Sequence, residues 1–198
     1  RPHWFEANAA LLEGSTDHDH TRTGWEARFW SPIIGAEHRA VRERVGLFVL
    51  TPFTKLEVRG PGALVFLQHI TANQMDKPVG SATYTSMLSP KGGIKCDLTV
   101  LRMSEDNFAV VTGGGTAEHD KAWILGHMPD DGSVKIYDIN TKRCCIGVWG
   151  PLARELMRKA TDDDVSSTGF PYLTAKRITI GEIPAAALRI SYVGELGW

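Results

Sequence analysis

Asp97 lies in the run Pro90-Lys91-Gly92-Gly93-Ile94-Lys95-Cys96-Asp97-Leu98-Thr99-Val100, where a Gly-Gly turn feeds an alternating segment. In a strand of period two, Ile94, Cys96, Leu98 and Val100 point one way, while Lys95, Asp97, Thr99 and Leu101 point the other. Asp97 and Thr99 therefore share a face. A carboxylate in so apolar a strand is either solvated on its wet side or hydrogen-bonded over a cavity, because burying it unpaired is costly. Over a cavity it can orient an amine and handle a proton.

Other runs carry weaker chemistry. Thr112-Gly113-Gly114-Gly115-Thr116 precedes a helical stretch, and successive amides at such a place can hold an anion or a carbonyl oxygen. Glu118 stands where a dinucleotide fingerprint needs Gly, and no Gly-Lys-Ser/Thr exists for a P-loop, so a flexible turn is the plainer reading. Asp17-His18-Asp19-His20 offers metal-ligand chemistry, but four consecutive side chains cannot all point inward and no second cluster completes a shell. We expect no metal. His3, His38, His69, His119 and His127 are scattered without a neighbouring Ser or Cys nucleophile, which leaves a hydrolytic triad unsupported. Arg189-Ile190-Ser191-Tyr192-Val193-Gly194-Glu195-Leu196-Gly197-Trp198 brings a phenol and a carboxylate to a sharp turn at the end of a strand.

The elements that must position these residues follow from period and punctuation. Residues 36–45 read as a helix stopped by Gly46, and 55–59 as a half-buried strand. Gly60-Pro61 then opens a helix to about residue 70. Strands are predicted near 82–88, 94–103, 107–112 and 134–139, with a helix near 116–128. A second strand-Gly-Pro-helix unit, Ile146-Gly147-Val148-Trp149-Gly150-Pro151 followed by helical 152–157, repeats the first about 90 residues on. Strands at 177–180 and 187–192 close the chain. Short links between mixed elements predict an α+β fold with largely antiparallel sheets and flanking helices.

Composition excludes several classes. The 198 residues carry 22 Lys+Arg against 23 Asp+Glu, so no basic footprint points to nucleic acid or an acidic membrane. No apolar run reaches the roughly 18 residues of a spanning helix, and residues 1–20 lack a signal-peptide core. Cys96, Cys144 and Cys145 make an odd count without C-x-x-C, which fits a reducing compartment rather than a disulfide framework. Residues 1–35 are aromatic and aperiodic and are expected to form an irregular packing segment. The chain starts without Met and stops directly after an alternating run, so both ends are read as cut.

Taken in order, these segments resemble the aminomethyltransferase family of the glycine cleavage T-protein. Within that family they resemble the folate-binding portion of dimethylglycine and sarcosine dehydrogenases and oxidases. The resemblance rests on the opening Arg-Pro-His-Trp-Phe, Glu37-His38, Val41-Arg42-Glu43, Lys55-Leu56-Glu57-Val58-Arg59-Gly60-Pro61 and Met87-Leu88-Ser89-Pro90-Lys91-Gly92-Gly93-Ile94. It continues through Asp97-Leu98-Thr99-Val100, Val111-Thr112-Gly113, Gly150-Pro151 and Ser191 to Trp198.

The resemblance implies tetrahydrofolate as cofactor and capture of a methyl-derived iminium or formaldehyde unit as methylene-tetrahydrofolate. It also implies FAD on a separate domain or subunit. Asp97 becomes the catalytic carboxylate, and Tyr84, Leu88, Leu98, Thr99, Val111, Gly113 and Tyr192 become cofactor-binding residues. Cys96-Asp97 stands where the T-protein has two consecutive acids, which favours the dehydrogenase-like branch. That branch places its pterin-anchoring Glu directly after Gly-Trp, and a barrel lobe beyond. The expectation is therefore a T-protein-like domain at 36–198 that lacks its C-terminal barrel lobe, housed in the cytoplasm or the mitochondrial matrix. A stand-alone aminomethyltransferase or demethylase, and a non-catalytic folate-binding scaffold, are the alternatives.

Overall fold

The computed structural model describes residues 7–12, 23–29 and 31–198. The opening Arg-Pro-His-Trp-Phe, the Asp17-His18-Asp19-His20 run and Trp30 lie outside the described residues. In chain order come helices α1 (Gly24–Phe29) and α2 (Pro32–Glu43), strands β1 (Gly46–Val49) and β2 (Thr54–Arg59), and helix α3 (Ala63–Ile70). Strands β3 (Ala82–Leu88), β4 (Ile94–Ser104) and β5 (Asn107–Thr112) follow, then α4 (Ala117–Gly126) and β6 (Lys135–Asp138). The last elements are β7 (Ile146–Trp149), α5 (Ala153–Ala160), β8 (Thr174–Ile180) and β9 (Ile183–Arg189). This is the α+β architecture expected from the sequence.

Among the described residues the strands form three antiparallel sheets: β3-β4-β5-β2-β6, β1-β7 and β8-β9. One face of the large sheet carries Leu56, Val58, Cys96, Leu98, Val100, Phe108 and Val110 against Phe66, Leu67 and Ile70 of α3 and Ile124 of α4. Removing Leu56 and Phe108 completely from water is worth about 1.5–3 kcal/mol each. The opposite face is covered over only part of its area. There Ala82 and Leu101 meet Ala175 and Leu188 of the β8-β9 hairpin. The hairpin is tied to the start of β3 by the Ala82 N–H donating to the Leu173 carbonyl at 2.9 Å and by a Ser81–Thr174 bridge.

The repeat seen in the sequence extends into three dimensions. Gly60 and Gly150 both take positive φ, +120° and +135°, and a Cβ at either would run into a backbone carbonyl, of Ser133 or of Arg44. The Ala63 N–H then donates to Gly60 and that of Ala153 to Gly150, at 2.9 and 3.0 Å. Thr71 and Thr161 cap α3 and α5 in the same way. β5 lies beside β2 with Phe108 opposite Val58, and Trp198 exchanges both backbone hydrogen bonds with Val148 of β7. Arg102 stacks on Phe108 and Arg189 on Trp198, each at 5.6 Å.

Several boundaries differ from the sequence expectation, β8 and β9 among them, which start at Thr174 and Ile183 rather than 177 and 187. α2 starts at Pro32 rather than 36, because extended Ser31 caps it and Pro32 suits the first turn. The segment 1–35, read as irregular, therefore contains α1 and the start of α2. β1 follows directly where Gly46 was read only as a helix stop, and the final strand ends at Arg189 instead of continuing to 192.

Candidate functional site

The uncovered part of the large sheet presents one continuous rung. Tyr84 pairs with Thr99, Thr99 with Val111 and Val111 with Lys55, so these four side chains stand abreast on one face across β3, β4, β5 and β2. Asp97 lies one step along β4 on the same face, opposite Ser86. Continuing the Leu98–Thr112 register by one residue brings Gly113 abreast of Asp97. The antiparallel pleat therefore builds a shelf of mixed polar and apolar side chains with a carboxylate at its edge.

The Tyr84 hydroxyl donates to Asp97 Oδ2 at 2.8 Å. That hydrogen bond, and next the charge of the carboxylate, hold the phenol above the ordinary tyrosine range. Asp97 Oδ1 has no partner among the described residues. Tyr192, 90% exposed on the turn after β9, comes near enough for its charge to push the Tyr84 pKa further up. The turn is held by Glu195, which accepts from the Tyr192 and Val193 amides at 3.0 and 2.8 Å, while Gly194 takes φ +98°. Burial raises the Glu195 pKa, but these amide bonds outweigh it and leave a net depression.

The structure thus brings together Tyr84, Asp97, Thr99 and Val111, with Gly113 and Tyr192 at the margins. Leu88 is exposed at the end of β3, past an irregularity in the register. The structure does not bring the Leu98 side chain to the shelf: it is 2% exposed in the core under α3 and α4, on the face away from Asp97, because odd and even positions of a strand cannot share a face.

Two buried ionisable side chains, one in the rung and one behind the sheet, are not among the site residues named from the sequence. Lys55, 7% exposed, donates from Nζ to the Thr51 and Phe53 carbonyls at 2.8 and 2.6 Å and pins the segment before β2. The sequence reads its strand only as half-buried. Asp120, 1% exposed, lies behind the sheet near Cys96. Burial, then the charges of Asp120 and Asp97, push the Cys96 thiol up to about 12. The spacing Thr112, Thr116, Asp120 was the available clue.

Among the described residues no group of three or more His, Cys, Asp or Glu could hold a metal ion, and no helix is long and apolar enough to cross a membrane.

A family model described as the GCVT N-terminal domain matches residues 1–198. The chain belongs to this family. The mitochondrial dimethylglycine dehydrogenase of Rattus norvegicus is 36% identical over 199 residues, which take in 100% of this chain and 22% of the relative. The 4-methylaminobutanoate oxidase (formaldehyde-forming) of Paenarthrobacter nicotinovorans is 33% identical over 198 residues, 100% of this chain and 23% of the relative. The chain thus spans under a quarter of the length of these curated relatives. The solved glycine cleavage system aminomethyltransferase T from Bartonella henselae shares the fold, with a TM-score of 0.70 at 23% identity over 81% of this chain and 42% of that one.

Proposed function

We propose that this domain carries out tetrahydrofolate-dependent one-carbon transfer, taking up a methyl-derived unit from an N-methyl amine such as dimethylglycine or sarcosine. The observation that carries the reading is Asp97, with one oxygen fixed by Tyr84 and the other without a partner among the described residues, on an exposed sheet face in a chain of this family. The fit of a reduced folate is chemical. Asp97 Oδ1 accepts an N–H, Val111 and the Tyr84 ring supply apolar surface for a flat ring, and Thr99 adds a hydroxyl beside it. Tetrahydrofolate held there supplies the nucleophilic nitrogens that take the one-carbon unit and yield methylene-tetrahydrofolate.

Asp97 in this scheme orients the amine and accepts the proton released as the new C–N bond forms. Tyr84 keeps the carboxylate in one rotamer, so no reorganisation is needed at that moment. Upstream, an N-methyl amine loses a hydride, that is two electrons and a proton, and becomes an iminium, and we assign that oxidation to FAD on a separate domain or subunit. When the folate nitrogens take the carbon, the donor C–N bond breaks and the demethylated amine leaves. The dehydrogenase and oxidase names of the relatives support this division of labour.

The reading is tested by calorimetric titration of the intact protein with tetrahydrofolate. Asp97→Ala is expected to weaken binding by about tenfold or more, the usual loss for a charge-assisted hydrogen bond. Equal affinity for wild type and variant would remove Asp97 from the site.

A further inference from the structure

We propose that Asp120 is a positioning residue for the Asp97 site, clamping the triple-glycine turn that forms one wall of the shelf. The proposal rests on the folate reading above. Asp120 Oδ2 accepts from Thr112 Oγ1 and from Thr116 Oγ1, both at 2.8 Å. These hydroxyls flank Gly113-Gly114-Gly115 on either side, so a single carboxylate oxygen bridges the two ends of a segment that has no side chains of its own. Three successive glycines retain wide backbone freedom, and their shape has to be imposed from outside.

The remaining contacts give the clamp its direction. Thr112 is buried and pairs with Leu98 and Thr54, which places the near end of the turn one residue from the level of Asp97. The middle of the turn lies against the segment before β2, where a Cβ on Gly114 would strike the Pro52 carbonyl. Asp120 meets no Lys or Arg among the described residues, and its other oxygen faces only His119 Nδ1, at 3.1 Å. A carboxylate buried to this degree with hydroxyl partners costs folding free energy that an apolar residue would not. The outcome of that cost is a fixed turn next to Asp97.

The test uses the intact protein with Asp120→Asn and, as the milder change at an exposed position, Thr116→Val. Two readouts are taken: amide hydrogen exchange over residues 113–117 without ligand, and steady-state kinetics with tetrahydrofolate. Exchange is expected to quicken roughly tenfold and KM for tetrahydrofolate to rise by about the same factor, with kcat within about twofold of wild type. Unchanged exchange in both variants, or faster exchange with an unchanged KM in active enzyme, would overturn the clamp. Failure of the wild type to bind or use tetrahydrofolate would sink the folate reading instead, and the exchange data would still decide whether Asp120 holds the turn.

Discussion

At Asp97 the hydrogen bond from Tyr84 does two things at once: it fixes one carboxylate oxygen and it holds the phenol proton. The second effect can be measured without any ligand. The Tyr84 pKa is raised, so the stabilisation from this bond is fully present below the ordinary tyrosine value of about 10 and is lost as pH rises through the higher folded value. In Asp97→Asn, tyrosinate absorbance assigned by difference against Tyr84→Phe is expected to show Tyr84 titrating at lower pH than in wild type. An unmoved titration would mean that the carboxylate is not what holds the proton. Leu98 shows what was legible at this scale: alternation places its side chain opposite Asp97, the family resemblance names it among the cofactor-binding residues, and the pleat turns that side chain into the core.

At the scale of elements, the strand-Gly-Pro-helix unit is what the sequence disclosed best. Its two copies share turn geometry, helix caps and an arginine stacked on an aromatic ring. Gly60→Ala and Gly150→Ala each force a Cβ into a positive-φ position against a carbonyl, and each is expected to cost about 1–3 kcal/mol or more. Thermal unfolding should register this as a Tm lower by roughly 2–4 °C per kcal/mol, whereas Gly126→Ala, in open space at the end of α4, should be neutral or slightly stabilising. Equal effects at all three positions would contradict the turn argument. The alternating strands and Gly-Pro punctuation were legible because they are local. β1 was not, since Leu47, Phe48 and Val49 do not alternate and form a strand only by pairing with β7. Nor was the burial of Lys55 and Asp120, which depends on hydroxyl and carbonyl partners that only the folded chain assembles.

For the whole molecule, the β8-β9 hairpin covers part of the large sheet through Leu101, Ala175 and Leu188 and leaves the rest as the shelf. The Tyr192 turn follows that hairpin, so the proposed site draws residues from both halves of the repeat. Neither half holds Asp97, Val111 and Tyr192 together. If Asp97 directs a one-carbon unit onto tetrahydrofolate, the partition of products registers it most directly. Intact Asp97→Asn protein is supplied with an N-methyl amine and tetrahydrofolate, and methylene-tetrahydrofolate and free formaldehyde are quantified together with amine consumed. The expected result is amine oxidation near the wild-type rate with methylene-tetrahydrofolate formation on the enzyme reduced roughly 100-fold and the carbon released as formaldehyde. Wild-type partition in the variant would contradict the assignment.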